Sequence, residues 1–240
     1  MKRQALSIKA ESAPDLRKQL AAHDITVPHI TEGRTAQHRE TYTVARFLAS
    51  FAEDPLLRYP IRVEHRDKPD FVVTLADRRV GIECVEAVPE EWYEISAIRE
   101  RHFPEALVFG QIFHPGQKRF SKEEKWAIAS GERKGPPWAG DMAERSWAEA
   151  MEYFVKQKTA KLRAGNYREF QDVWLLVQDE WRAPVYHSDE LTLAVSLAAA
   201  RIAPLLVAPS YSRVIVCRNS TIVTFTEAGT ALTPVVDLWR

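Results

Sequence analysis

Apolar residues recur at helical spacing between residues 35 and 51, and Pro55 ends the pattern. The apolar positions of this predicted helix are Tyr42, Ala45, Phe47, Leu48 and Phe51. Further helices are predicted at Asp15–Ala22, near Tyr93–Arg101, at about Ser146–Ala164, which Gly165 and Asn166 follow, and at Asp189–Ala203.

Short runs rich in Val, Ile and aromatic residues predict the strands. They are Ile61–Glu64, Phe71–Leu75, Val80–Val85, Val173–Val177, Val214–Cys217 and Ile222–Phe225. The run at Val173–Val177 is apolar on both faces, which is typical of a central buried strand. The order of helices and strands predicts an α/β fold with a mixed central β-sheet flanked by helices.

The pattern also divides the chain. Residues 1–34 are polar and broken by Pro14, Pro28 and Gly33, which indicates an N-terminal arm carrying one short helix. Residues 35–240 form the single α/β domain. Within it, residues of about 87–145 combine a helical segment with Gly- and Pro-rich sequence, and this stretch is interpreted as an insertion or a mobile lid.

Composition limits the classes of function. The 240 residues carry a formal net charge of zero, so a nucleic-acid surface must come from local clusters of basic residues. The two cysteines lie in strand segments and are expected to be reduced. The N-terminus lacks the apolar stretch of a signal peptide, and the longest apolar run, Leu191–Ala200, is too short to span a bilayer. A cytoplasmic protein with no membrane partner is expected.

The most informative segment is the hairpin predicted at residues 68–86. With a two-residue turn at Ala76-Asp77, Asp70 lies opposite Glu83, and the Cβ atoms of opposed residues are roughly 4.5–5.5 Å apart. Two carboxylates this close repel each other unless a cation lies between them, and hard oxygen ligands favour Mg²⁺ or Mn²⁺. A three-residue turn would place Asp70 opposite Cys84 instead.

A Pro-Asp dipeptide entering one strand, followed by an acid in the next, resembles the PD-(D/E)XK superfamily of restriction-endonuclease-like nucleases. The matching residues are Pro69, Asp70 and Glu83, and the similarity covers residues 35–86 and 146–178. The resemblance implies a restriction-endonuclease-like core and metal-assisted hydrolysis of phosphodiester bonds in nucleic acid, with DNA favoured over RNA by the habits of the superfamily. Many members act as dimers, so a homodimer is a further expectation, for which the sequence identifies no interface.

The lysine of the motif would fall at position 85, where this chain has Val85. Some members take that lysine from the following helix. On the helix predicted at Ser146–Ala164, Lys158 lies four residues after Phe154 on the apolar side, and Lys161 lies at its edge. A lysine on an apolar stripe is costly unless a carboxylate or phosphate meets its charge, so Lys158 is the first candidate and Lys161 the second.

The resemblance also implies roles for the neighbouring groups. Asp70, Glu83 and the Cys84 carbonyl would bind Mg²⁺ or Mn²⁺, Lys158 would orient water or neutralise charge, and Glu40 matches an acid that some members add from the first helix. Glu86 is a further candidate ligand, although strict alternation along a strand places it on the face opposite Glu83.

Clusters of basic residues are the candidate nucleic-acid contacts, with Trp126 as a stacking partner for bases. In the predicted helix they are Lys156, Lys161 and Arg163, and in the insertion they are Lys118, Arg119 and Lys122.

Each of these features also has a plainer interpretation. The two acids could lie on the solvent face of an exposed hairpin, and Lys158 could cover the edge of the core while its charge remains in water. The basic helix could be a solvated face, and Trp126 could anchor the insertion. The alternative function is a nuclease-like fold without catalytic activity that binds nucleic acid or protein, and Val85 is the residue that favours it.

Overall fold

Eight strands form one mixed sheet in the computed structural model, which describes residues 6–29, 32–165, 170, 172–185 and 188–239. The strands are β1 (Ser7–Ala10), β2 (Ile61–His65), β3 (Phe71–Thr74), β4 (Arg79–Ala87), β5 (Asp172–Asp179), β6 (Arg213–Cys217), β7 (Thr221–Thr226) and β8 (Gly229–Pro234). They are ordered in the sheet as they are along the chain. The central strands β4, β5 and β6 are parallel, and all other neighbours are antiparallel.

Six α-helices flank this sheet within the described residues. They are α1 (Ala13–Ala21), α2 (Ala36–Ser50), α3 (Trp92–His102), α4 (Lys122–Ala129), α5 (Met142–Ala164) and α6 (Ser188–Ile202). The two parallel connections need crossovers, and these carry α5 and α6. The predicted fold class, a mixed sheet flanked by helices, is confirmed.

The sheet has a separate hydrophobic core on each face. On one face, called the α2 face here, Leu16 of α1 and Phe47 of α2 pack against alternate strand residues such as Ile82 and Trp174. On the other, the α5 face, Trp147 and the remaining buried residues of α5 and α6 pack against the intervening strand residues. Strand β5 is covered on both sides, as its continuous apolar sequence predicted.

The region predicted as an N-terminal arm, residues 1–34, contributes to this sheet. Strand β1 pairs antiparallel with β2, from Ser7 opposite Glu64 to Ala10 opposite Ile61. Helix α1 then buries Leu16 and Leu20 on the α2 face. The sequence analysis predicted the helix but not the strand. Residues 1–5 and 30–31 of this region lie outside the described part of the chain.

The predicted insertion packs on the α5 face. It contains α3, a short 3-10 helix at Gly110–Ile112, and α4. Ile95, Phe113 and Ile128 from these elements are buried in the same core as α5. Tyr93 of α3 donates a hydrogen bond to Glu86, near the end of β4.

Candidate active site

The hairpin formed by β3 and β4 adopts the predicted register. Phe71 lies opposite Ile82, and the N–H of Leu75 donates to the carbonyl of Arg78 at 2.8 Å, which closes a two-residue turn. Continuing this register by one residue places Asp70 opposite Glu83. The three-residue turn, which would have placed Asp70 opposite Cys84, is not the one formed.

Asp70 is held just before β3 by a main-chain contact. Its Oδ2 accepts a hydrogen bond from the N–H of Cys84 at 2.6 Å. The pKa of Asp70 is raised to about 6, chiefly by burial. The hydrogen bond from the Cys84 N–H and the charge of Lys158 lower this pKa, and the nearby charges of Glu83 and Glu40 raise it. The ionised form of Asp70 is therefore poorly stabilised by the protein alone, and an added cation would stabilise it.

Glu83 is paired with the lysine that the sequence analysis placed first. The Nζ of Lys158 lies 3.0 Å from Oε2 of Glu83, with the two side chains 19% and 9% exposed. Lys158 reaches the carboxylate from α5, which covers the face of β4 that carries Glu83. Lys161, one turn further along, lies on the exposed side of the helix. The side chain in contact with the acidic pair is therefore Lys158.

Glu40 approaches the same region from α2. Its Oε2 lies 3.1 Å from Nε2 of His65, and both side chains are about one-fifth exposed. His65 pairs with Phe71 in the sheet, so it lies beside the residue that follows Asp70. The sequence analysis selected Glu40 and missed His65. The register of β2 against β3 is the signal that would have located this histidine.

Glu86 lies away from this cluster. Alternation along β4 directs it to the α2 face, whereas Glu83 points to the α5 face. There its carboxylate accepts hydrogen bonds from Arg34 at 2.6 Å, from Arg39 and from the hydroxyl of Tyr93. The proposed role of Glu86 as a metal ligand has no support from this geometry, because two arginines already neutralise its charge.

The donors available for a metal ion are oxygen atoms. Within the described residues, no group of three or more His, Cys, Asp or Glu side chains is arranged to hold a metal ion. The candidate set instead combines the carboxylates of Asp70 and Glu83 with a main-chain carbonyl. Within a strand the N–H and C=O of one residue point to the same side, so the C=O of Cys84 points toward β3 like its N–H, which donates to the side chain of Asp70. Hard oxygen donors and excess negative charge fit Mg²⁺ or Mn²⁺.

The predicted nucleic-acid contacts fall in two places. On α5, Lys156 pairs with Glu152, Arg163 donates to the carbonyl of Pro209 at 3.0 Å, and Lys161 is exposed, all toward the end of the helix that carries Lys158. Arg168, a further basic residue next to this helix, lies outside the described residues.

In the insertion, Lys118, Arg119 and Lys122 are exposed. The ring of Trp126 lies 4.8 Å from that of His102 and 5.6 Å from that of Phe103. These contacts show that Trp126 anchors α4 on α3, although 37% of the residue remains exposed.

Comparison with known proteins adds no family to this description. No protein-family model matches the chain, and neither do any of the curated proteins or solved structures with which it was compared. Among the described helices, none has the length and apolar character needed to cross a membrane.

Proposed function

We propose that this protein is a metal-dependent nuclease of the PD-(D/E)XK type that hydrolyses phosphodiester bonds in nucleic acid, with DNA as the expected substrate. One observation carries the proposal: Asp70 and Glu83 are opposed on a strand hairpin, and Lys158 from the next long helix contacts Glu83 at 3.0 Å. The plainer interpretation is a hairpin with its acids on a solvent face. It does not account for Lys158, which lies between the sheet and α5 beside the half-buried Asp70 and the buried Glu83.

The donor set defines where a metal ion would be held. Asp70, Glu83 and the Cys84 carbonyl would bind Mg²⁺ or Mn²⁺, and the bound ion would polarise the phosphate and lower the pKa of a water molecule. The raised pKa of Asp70 supports this assignment, since burial and the charges of Glu83 and Glu40 all disfavour its ionised form, which a bound cation would stabilise.

Lys158 and Glu40 would have the remaining catalytic roles. Lys158 is held by Glu83 with its ammonium at the edge of the site, where it would stabilise negative charge on the phosphate or orient the attacking water. Glu40 is oriented by His65, and it would accept a hydrogen bond from water near Asp70. In this arrangement α5 supplies the charge that the motif usually places two residues after the second acid, where Val85 packs against the core.

The remaining expectations follow from the same proposal. Cys84 and Cys217 are buried free cysteines, which supports a reducing, cytoplasmic environment. The exposed basic residues on α5 lie near Lys158 and are the proposed contacts with the nucleic-acid backbone.

The test is cleavage of plasmid DNA, single-stranded DNA and RNA with Mg²⁺ or Mn²⁺. Wild type would be compared with Asp70→Asn, Glu83→Gln and Lys158→Met, and with Lys18→Met as the control, because Lys18 is exposed on α1 across the sheet. We expect metal-dependent cleavage that the three site variants lose and the control keeps. Cleavage that survives both acid substitutions would contradict the proposal, and a wild type that binds nucleic acid without cutting it would favour the inactive binding module.

A further inference from the structure

A cavity of about 570 Å³ opens at the carboxyl ends of β4 and β5, next to the candidate active site. This volume lies within the range of roughly 300–1,000 Å³ that is typical of pockets for small-molecule ligands. Four arginines line it: Arg34, Arg39, Arg99 and Arg182. Trp92 and Tyr93 contribute aromatic rings to the same cavity.

The arginines fall into two pairs with different partners. Arg34 and Arg39 both bind Glu86, so their guanidinium groups are fixed in place by one shared carboxylate. The ion pairs of Arg99 with Glu100 and of Arg182 with Glu180 are longer, at 3.6 and 3.8 Å. Those distances exceed a hydrogen bond, so Arg99 and Arg182 keep N–H groups for the oxygens of a ligand.

Aromatic rings hold two of the guanidinium groups in place. The guanidinium of Arg182 lies 4.1 Å from the ring centre of Trp92, and that of Arg34 lies 4.9 Å from the ring centre of Tyr93. Nucleobases stack on aromatic side chains and on arginine planes, and arginine donates to phosphate oxygens. The cavity therefore combines the two kinds of group that recognise a nucleotide.

The cavity is linked to the candidate active site through shared lining residues. A smaller space of about 130 Å³ is lined by Arg39 and Glu86, which also line the large cavity, and by Glu40 and Cys84. The charge of Glu40 in turn acts on Asp70, so an occupant of the large cavity would approach the candidate active site from the side of Glu40.

We propose that this cavity holds one unpaired nucleotide of the substrate, adjacent to the phosphate that is cleaved. This inference rests on the proposed nuclease function and defines its substrate class. A nucleotide must leave the base-paired stack to enter such a cavity, and this costs least in a single strand. The protein is therefore a nuclease for single-stranded or unpaired segments.

The first experiment measures binding by isothermal titration calorimetry in EDTA. The probes are the four 2′-deoxynucleoside 5′-monophosphates, inorganic phosphate and 2′-deoxycytidine. We expect saturable one-to-one binding of each monophosphate, tighter than that of phosphate or of the nucleoside. Arg99→Gln and Arg182→Gln should each weaken binding by about tenfold or more, because each removes a charged hydrogen-bond donor. Arg145→Gln is the control, since Arg145 is exposed near the start of α5, where it pairs with Asp141.

The outcomes separate this inference from the proposed function. The cavity assignment would be overturned by any of three results: no saturable binding of the monophosphates, binding of inorganic phosphate as tight as that of the monophosphates, or unchanged affinity in both arginine variants. Arg99 is 33% exposed on α3, so Arg99→Gln is expected to fold even if Arg182→Gln does not. Binding should persist in Asp70→Asn. A wild type that binds monophosphates but cleaves nothing would refute the nuclease and leave the cavity as a nucleotide site.

A second experiment tests the substrate class. The cleavage rates of a single-stranded oligonucleotide and of its fully paired duplex would be compared for wild type and Arg182→Gln. Wild type should cut the single strand faster, and the variant should show a smaller ratio of the two rates. Equal rates on both substrates would overturn the inference.

Discussion

Replacing Asp70 by Asn should stabilise the metal-free protein at neutral pH while removing its proposed activity. Asn has nearly the same shape, and its amide oxygen can still accept the hydrogen bond from the Cys84 N–H. What the substitution removes is a negative charge that is partly buried beside Glu83 and Glu40. A gain in stability from losing a site residue is expected where function has placed like charges together.

The magnitude follows from the pKa of Asp70. It rises from 3.8 to about 6, so ionising Asp70 in the folded protein costs about two pKa units more than in the unfolded chain. At about 1.36 kcal/mol per unit, this corresponds to about 3 kcal/mol at a pH above both values. The Asn side chain is itself a half-buried polar group, so we expect Asp70→Asn to raise the free energy of unfolding by about 1–3 kcal/mol at pH 7.5.

The sign of the pH dependence follows from proton binding. Between about pH 4 and pH 6 the folded state keeps a proton on Asp70 that the unfolded state has lost. The contribution of Asp70 to the free energy of unfolding therefore falls as pH rises through this window. The difference between variant and wild type should be small at pH 4, grow through pH 5 and 6, and level off above.

Urea denaturation in EDTA at these pH values measures the difference. Asp54→Asn is the matched control, because exposed Asp54 also accepts a main-chain hydrogen bond, from Leu56 at 2.8 Å. It should change the free energy of unfolding by less than about 0.5 kcal/mol at any pH. Adding Mn²⁺ should raise the melting temperature of wild type more than that of Asp70→Asn. A variant that gains nothing at pH 7.5, or gains equally at pH 4, would refute the reasoning.

The two remaining predictions concern neighbours of the acidic pair. Lys158→Met leaves the Glu83 carboxylate without its cation and should lower the free energy of unfolding by roughly 3 kcal/mol in urea denaturation. Adding Glu83→Gln should restore most of this free energy but should not restore cleavage. If the effects of the two substitutions on the free energy of unfolding are additive, the contact is contradicted. Gly81→Ala places a methyl group 3.0 Å from the Pro69 ring and 3.3 Å from Phe170. The substitution should lower the free energy of unfolding by about 1–3 kcal/mol in the same assay, and it should slow cleavage because Pro69 precedes Asp70. Unchanged stability and cleavage would show that the Pro69 ring moves aside at no cost.

Local patterns were sufficient to locate the central hairpin. Phe71–Leu75 and Val80–Val85 are β-rich, and a two-residue turn fixes their register, which places Asp70 opposite Glu83 without any knowledge of the rest of the fold. The helical spacing that put Lys158 in line with Phe154 was equally local. These predictions depend only on the spacing of apolar residues and on the length of the turn, and neighbouring residues determine both.

Elements that depend on distant partners could not be predicted in this way. Strand β1 is four residues long, and its pairing with β2 crosses more than fifty residues of chain. Strand β8 lies at the other edge and is almost wholly exposed, so its sequence shows no apolar alternation. The arginine-lined cavity was also missed, because Arg34, Arg99 and Arg182 come from separate segments that only the folded chain brings together.

The contact of Lys158 with Glu83 likewise depends on two elements that are distant in the sequence, α5 and β4. On β4, residue 85 points to the same face as Glu83, so a lysine there would reach the acids from within the strand. In this chain Val85 instead packs beside the core of the α5 face, and α5 lies across that face. A side chain that projects down from α5 therefore reaches the same carboxylate as one projecting up from β4. The chemistry that we propose for this site requires a positive charge near Glu83, and Lys158 supplies one from a different element through its 3.0 Å contact.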